Sequence, residues 1–227
     1  MPLMLDGPRL APLAGGRATS LVVILHGVGA NGSDIIHLAR FWQRLLPQTE
    51  FIAPDAPFPC GYAPFGRQWF SLEDRSPEVL LAGLRDTAPV LASFLDGLLT
   101  GRGLDNSCLA LAGFSQGAAM ALYAGLCRQE QIAGIAAFSG ALPPAPALAG
   151  DFCSKPPVLL VHGELDAVVP FRSLAVTKAI LEHAGVPVKT VVRPGLGHEI
   201  DETGARQAAD FLSAALKTGQ GDFTADA

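Results

Sequence analysis

The chain is expected to fold as an α/β protein built on a mostly parallel sheet covered by helices on both faces. Three observations carry this expectation. Short, continuous β-branched runs such as Ser20–Gly27, "SLVVILHG", read as strands buried on both faces. These runs alternate with segments whose apolar residues recur at helical spacing, as in "SDIIHLARFWQRLL". Of the 227 residues, 49% are apolar and 16% charged, enough apolar material for a large core and too little charge for disorder. Strand and helix in alternation place the sheet between helical layers, and ligands of such sheets sit at the carboxyl ends of the strands.

Taken in order, "PLMLDGPRL" carries an Asp-Gly turn signal and predicts a small hairpin. "SLVVILHG" is a strand, and the helix after it is expected to be capped by Ser33. "EFIAPDAP" is a strand ended by Pro54 and Pro57, and "FPCGYAPFGRQWFSL" is an aromatic, Pro- and Gly-containing loop. "SPEVLLAGLRDTAPVLASFLDGLL" predicts a helix kinked or broken at Pro89. "SCLALAGF", "IAGIAAFSG", "PPVLLVHG" and "VPVKTVVRP" read as strands, with helices over "SQGAAMALYAGLC", 172–184 and 202–216. Residues 1–217 are expected to form one domain and 218–227 a flexible tail.

Several classes of function are disfavoured. The net charge is −5 and the Lys and Arg residues are scattered, which argues against nucleic acid and anionic membranes as partners. The four cysteines lack C-x-x-C spacing, so a metal site is not expected and free thiols in the cytoplasm are. No signal peptide and no membrane span are expected. The apolar composition is compatible with a homodimer.

Gly113-Phe114-Ser115-Gln116-Gly117 lies between a predicted strand and a helix of small residues. Such a G-x-S-x-G turn forces its central residue into a strained conformation and lifts the hydroxyl above the sheet edge, at a helix N-terminus that favours developing negative charge. A serine needs a base. Of five histidines, His37 falls in a helix and His183 near a helix end. His162 ends a strand and reads as a core histidine, and His26 as a turn-holding one. His198, in the glycine-flanked "RPGLGHEI", is the one that can reach over the sheet edge. Asp166 follows the preceding strand and can orient the imidazole. Glu164 competes with it, and Asp201 is near His198 in sequence. Ser115, Asp166, His198 is the chain order of an α/β-hydrolase.

Gly27, Gly29 and Gly32 spell G-x-G-x-x-G, and Asp55 lies roughly 20 residues on from there, the spacing of a dinucleotide site. Gly32 is expected to precede the helix, which weakens that reading. The alternative is a turn aiming the Val28 N–H at a substrate oxygen, with the Gln116 N–H as second donor, a pair worth about 3 kcal/mol each.

"VVILHGVGANGSD", "GRQWFSL", "LAGFSQGAAMALYAGL", "VLLVHGELDAVVP" and "GLGHEI" together resemble the carboxylesterase/phospholipase family that includes acyl-protein thioesterases, over about residues 18–216. Ala118 stands where the family's "GFSQGG" has its last glycine. The resemblance implies an α/β-hydrolase with little or no cap domain that needs no cofactor. It also implies Ser115, Asp166 and His198 as triad, Val28 and Gln116 as oxyanion donors, and Trp69 beside the pocket.

Phe58, Tyr62, Phe65, Trp69 and Phe70 then have two readings. They complete the core, or they wall an open apolar cleft for short to medium acyl chains, with Phe65, Trp69 and Phe70 as substrate-binding residues. The expected activity is hydrolysis of small carboxylic esters. A thioesterase or lysophospholipase with the same triad is the alternative, and a non-catalytic acyl-binding module is a more distant one.

Overall fold

The computed structural model describes residues 4–61, 63–144 and 148–220. Its elements are β1 (Arg9–Leu10), β2 (Ser20–Leu25), α1 (Gly32–Ile35), α2 (Leu38–Trp42), β3 (Thr49–Ile52), β4 (Phe58–Pro59) and β5 (Arg67–Gln68). They continue with α3 (Pro77–Arg102), β6 (Leu109–Phe114), α4 (Gln116–Leu126), β7 (Gly134–Phe138), β8 (Val158–Gly163), α5 (Arg172–His183), β9 (Val188–Arg193) and α6 (Glu202–Gln220). The helix α6 thus continues past the expected domain end at 217, and residues 221–227 lie outside the described residues.

Seven strands form one sheet in the order β1-β3-β2-β6-β7-β8-β9, and β4 pairs with β5 in a small ribbon. β1 runs antiparallel to β3, while β3, β2, β6, β7, β8 and β9 are mutually parallel. The two-residue side-chain period splits each central strand between two cores. Leu21, Val23 and Leu25 of β2 and Leu109 and Leu111 of β6 face a core shared with α3, α4 and α5. Val22, Ile24, Ala110 and Ala112 face the other, shared with α1, α2 and α6. Every residue of β2 is buried, as its unbroken apolar run requires. From β2 the chain moves outward to β3, then returns to β6 on the other side of β2. This reversal opens a crevice above the carboxyl ends of β2 and β6.

Three local expectations are corrected. The "PLMLDGPRL" hairpin is not formed among the described residues. Gly7 instead packs where a Cβ would lie 2.1 Å from the Ala53 carbonyl oxygen. The Asp55 and Ala53 N–H groups donate to Asp6 O and Pro8 O, and this fastens the segment to the chain leaving β3. The helix after β2 is capped by Asn31, not Ser33, and it divides into α1 and α2 with His37 at the junction. Asn31 accepts from the Ser33 and Asp34 N–H groups, and Asp34 accepts from the Asn31 N–H, a reciprocal box that satisfies three donors. α3 runs unbroken through Pro89. A proline there costs about 3 kcal/mol, which is offset by Leu84, Leu91, Leu95 and Leu98 buried on either side of it.

Candidate active site

The turn from β6 into α4 places Ser115 at φ 54°, ψ −119°. Its glycines are dictated by contact. A Cβ on Gly113 would lie 2.3 Å from the Gly117 carbonyl oxygen, and one on Gly117 would lie 2.2 Å from that of Leu25. Ala118 is accommodated because residue 140 is glycine, where a Cβ would come within 2.4 Å of the Ala118 methyl. Ser115 is held from below by its own N–H, which donates to Phe138 O at 2.9 Å.

His198 reaches the same point from the loop after β9. Its Nε2 lies 3.0 Å from Ser115 Oγ and its Nδ1 2.8 Å from Asp166 Oδ2. A carboxylate only accepts, so Nδ1 carries the proton and Nε2 is free to accept from the serine hydroxyl. The Phe114 ring packs against the imidazole at 4.7 Å between centroids and holds its plane. The loops carrying Asp166 and His198 approach closely because Gly163 lacks a side chain: a Cβ would sit 2.3 Å from Gly197 O. The Glu164 and Leu165 N–H groups donate to Arg193 O and Leu196 O and zip the loops together.

Asp166 is fixed through its other oxygen, since Oδ1 accepts from the Val168 and Val169 N–H groups at 2.9 and 2.8 Å. Burial pushes its pKa up as the largest single influence. The His198 hydrogen bond and charge and the two backbone donors together outweigh burial, and the net shift is downward. The two competing carboxylates are otherwise engaged. Glu164 is exposed and accepts from the Gly195 N–H. Asp201 pairs with Arg193 at 2.7 Å and accepts from the Gly204 N–H at the start of α6.

His162 is buried and hydrogen-bonds Val169 O at 2.9 Å, as expected of a core histidine. His26 is buried as well. Its Nε2 accepts from the Ala56 N–H at 2.9 Å and its Nδ1 donates to Gly27 O at 2.7 Å, which requires the neutral ring. Burial lowers its pKa accordingly.

The glycine-rich turn after β2 lies against this serine, with a Cβ on Gly27 falling 3.3 Å from Ser115 Cβ. Among the described residues, neither the Val28 nor the Gln116 backbone N–H has a hydrogen-bond acceptor. The dinucleotide reading fails on the same turn. Gly32 is the first residue of α1 rather than preceding it, but that helix has four residues and its donors are already used. Gly32 N–H donates to Asp55 Oδ1 at 2.7 Å, and Asn31 Oδ1 takes the next two.

The aromatic loop sorts by depth. Trp69 has no exposed surface and Phe70 is 6% exposed, whereas Phe65 is 90% exposed. Trp69 and Phe70 are therefore core residues, while Phe65 and the 39%-exposed Phe58 present apolar surface. Tyr62 lies outside the described residues.

Sequence reasoning missed the Phe114 ring and the Gln116 side chain. The latter accepts from the Trp69 N–H and donates to Phe70 O. A lone amide opening a helix of otherwise small and apolar residues, "QGAAMALYAGL", was the available signal. Grooves of about 620 Å³ beside α2 and α6 and about 540 Å³ beside α3 and α4 contain none of these site residues. Hydrogen-bond geometry, not cavity size, singles out the Ser115–His198–Asp166 cluster.

Residues 13–216 match the Phospholipase/Carboxylesterase family model. The chain is 31% identical to acyl-protein thioesterase 1 of Neurospora crassa, over 92% of this chain and 91% of that one. It is 27% identical to the esterase YpfH of Escherichia coli, over 86% and 82%. Its fold superposes on the crystal structure of esterase PE8 with a TM-score of 0.88 at 42% identity, over 93% and 99% of the two chains. A parallel sheet with a strained serine at its carboxyl edge and a match spanning nearly the whole chain agree: the chain belongs to the phospholipase/carboxylesterase family of α/β-hydrolases and is an enzyme of the serine-hydrolase class.

Proposed function

We propose that this enzyme is a carboxylesterase acting on esters of short to medium acyl chains through an acyl-enzyme. The observation that carries the reading is the continuous Ser115–His198–Asp166 hydrogen-bond relay. His198 Nε2 takes the hydroxyl proton as Ser115 Oγ attacks the ester carbon. Asp166, ionised and fixed by two backbone donors, stabilises the imidazolium. The Val28 and Gln116 N–H groups receive the oxyanion, each worth about 3 kcal/mol. His198 then protonates the departing alcohol, and water activated by the same nitrogen releases the acid. No cofactor enters these steps.

Phe65 on one flanking loop and Leu165 and Val168 on another are exposed apolar side chains, and they favour an open acyl site over a deep tunnel. Free thiols at all four cysteines suit a reducing compartment, which favours the cytoplasm. Among the described residues no helix is long and apolar enough to cross a membrane.

The second reading is a thioesterase with the same residues, favoured by the name of the Neurospora relative. A panel of oxygen esters and matched thioesters, run on wild type and Ser115→Ala, tests both. The expected result is oxygen-ester turnover that peaks at or below ten acyl carbons and falls by about 10⁴-fold or more in the variant. A kcat/KM favouring thioesters would establish the second reading, and activity surviving in Ser115→Ala would remove both.

A further inference from the structure

Two backbone donors 88 positions apart in sequence serve one oxyanion only if something sets their relative aim, and a single segment touches both. Gly29 N–H donates to Arg67 O at 2.9 Å, and Arg67 N–H donates to Ala30 O at 2.8 Å. The Trp69 indole N–H donates to His26 O at 3.0 Å. Val28 is thus held on both sides of its own peptide by residues 67 and 69. The same segment grips the second donor through a side chain. Trp69 N–H donates to Gln116 Oε1 at 2.9 Å, and Gln116 Nε2–H donates to Phe70 O at 2.7 Å. The Thr87 hydroxyl donates to Trp69 O at 2.8 Å and ties the segment to α3. His26, Trp69, Thr87 and Gln116 are all buried, so water does not compete for these bonds.

We infer that the Trp69 indole N–H and the Gln116 carboxamide are positioning groups that hold the Val28 and Gln116 backbone donors in register for the oxyanion. The inference rests on the reading of those two N–H groups given above. Neither side chain reaches substrate through this role. Trp69 holds the His26–Gly27 peptide next to the one that carries the Val28 N–H, and the Gln116 carboxamide ties its own residue to the 69–70 segment. Because oxyanion donors act on the transition state more than on the bound ester, loss of aim appears in kcat rather than KM. A displacement of about 1 Å at such a donor costs up to about 100-fold.

The test uses Trp69→Phe, which keeps an aromatic ring but removes the N–H, and Gln116→Met, which keeps the side-chain length but removes both carboxamide bonds. Each is assayed per active site titrated with a fluorophosphonate, after thermal melting has established that it folds. The expected result is a kcat lower by about 10- to 100-fold with KM within about twofold. The inhibition constant of a trifluoromethyl ketone, which forms a tetrahedral adduct on serine, should rise in the same proportion as kcat/KM falls. A purely structural role would lower the melting temperature and leave both quantities unchanged per titrated site. Either variant, folded and with wild-type kcat and inhibition constant, overturns the inference while leaving the esterase reading intact. Failure of the wild-type Ser115 to label removes that reading and the inference with it.

Discussion

The turn at Ser115 and the loop from Phe58 to Leu72 border the same crevice but are held by different forces. At the turn, backbone meets backbone: Gly113 against Gly117, and Gly117 against Leu25, at separations no side chain tolerates. The strain of Ser115 at φ 54° is imposed by its immediate neighbours in the chain. The loop has one such contact among its described glycines, at Gly66, where a Cβ would lie 2.3 Å from Gly29 O. Its aromatic side chains part company according to distant partners, with Trp69 drawn in by His26 and Thr87 and Phe65 left in solvent. One region is positioned by close backbone contacts of its glycines with each other and with β2, the other mainly by long-range hydrogen bonds and burial.

The sharpest way to break this contrast is at the relay that the turn serves. Asp166→Asn should preserve the fold and lower kcat by about 10⁴-fold, because the amide donates to Nδ1 and forces the wrong imidazole tautomer. A fall below tenfold in a steady-state ester assay would mean that Asp166 does not orient His198. Next in size, Trp69→Ala should cost about 3–5 kcal/mol of stability in denaturant unfolding, as for other large-to-small changes in a core. A cost below about 1 kcal/mol would show that burial does not hold the root of the loop.

His26 gives a smaller, pH-dependent effect. Burial holds its folded-state pKa below the ordinary 6.5, so the unfolded chain binds the extra proton first. Stability from neutral His26 is therefore fully present above about pH 6.5 and declines as pH falls below it, by at most about 1.4 kcal/mol per pH unit. Melting temperatures of wild type and His26→Gln from pH 7.5 to pH 5 should converge, and parallel curves would contradict the assignment. Phe65→Ala should be the mildest change, within about 0.5 kcal/mol in stability, and a larger loss would place that ring in a contact the fold requires.

What was legible in the sequence follows the same division. The sheet, the elbow and the chain order of Ser115, Asp166 and His198 were readable because strand burial and glycine spacing act locally. Asp166 is favoured over Glu164 and Asp201 by its place after the strand and by the family likeness, whereas what engages the other two and fixes Asp166, Arg193 and the 168–169 peptides among them, is brought near only by the fold. The cap at Asn31 rather than Ser33 turned on a two-residue shift in where the extended backbone ends. Pro89 does not break α3, because leucines buried along that helix outweigh a local penalty. From sequence alone Trp69 stays between core and pocket wall, since its burial, and the use of the Gln116 amide to meet it, are tertiary facts.

The central claim is that Ser115 becomes acylated with His198 as its base. Acid quenching of the enzyme during turnover of p-nitrophenyl acetate, followed by intact-protein and peptide mass spectrometry, reads this directly. One acetyl group per chain, on the peptide containing Ser115, accumulating in a burst and absent from Ser115→Ala, is the expected result. Turnover with no acetyl on that peptide, or with the label on another residue and undiminished in Ser115→Ala, would contradict it.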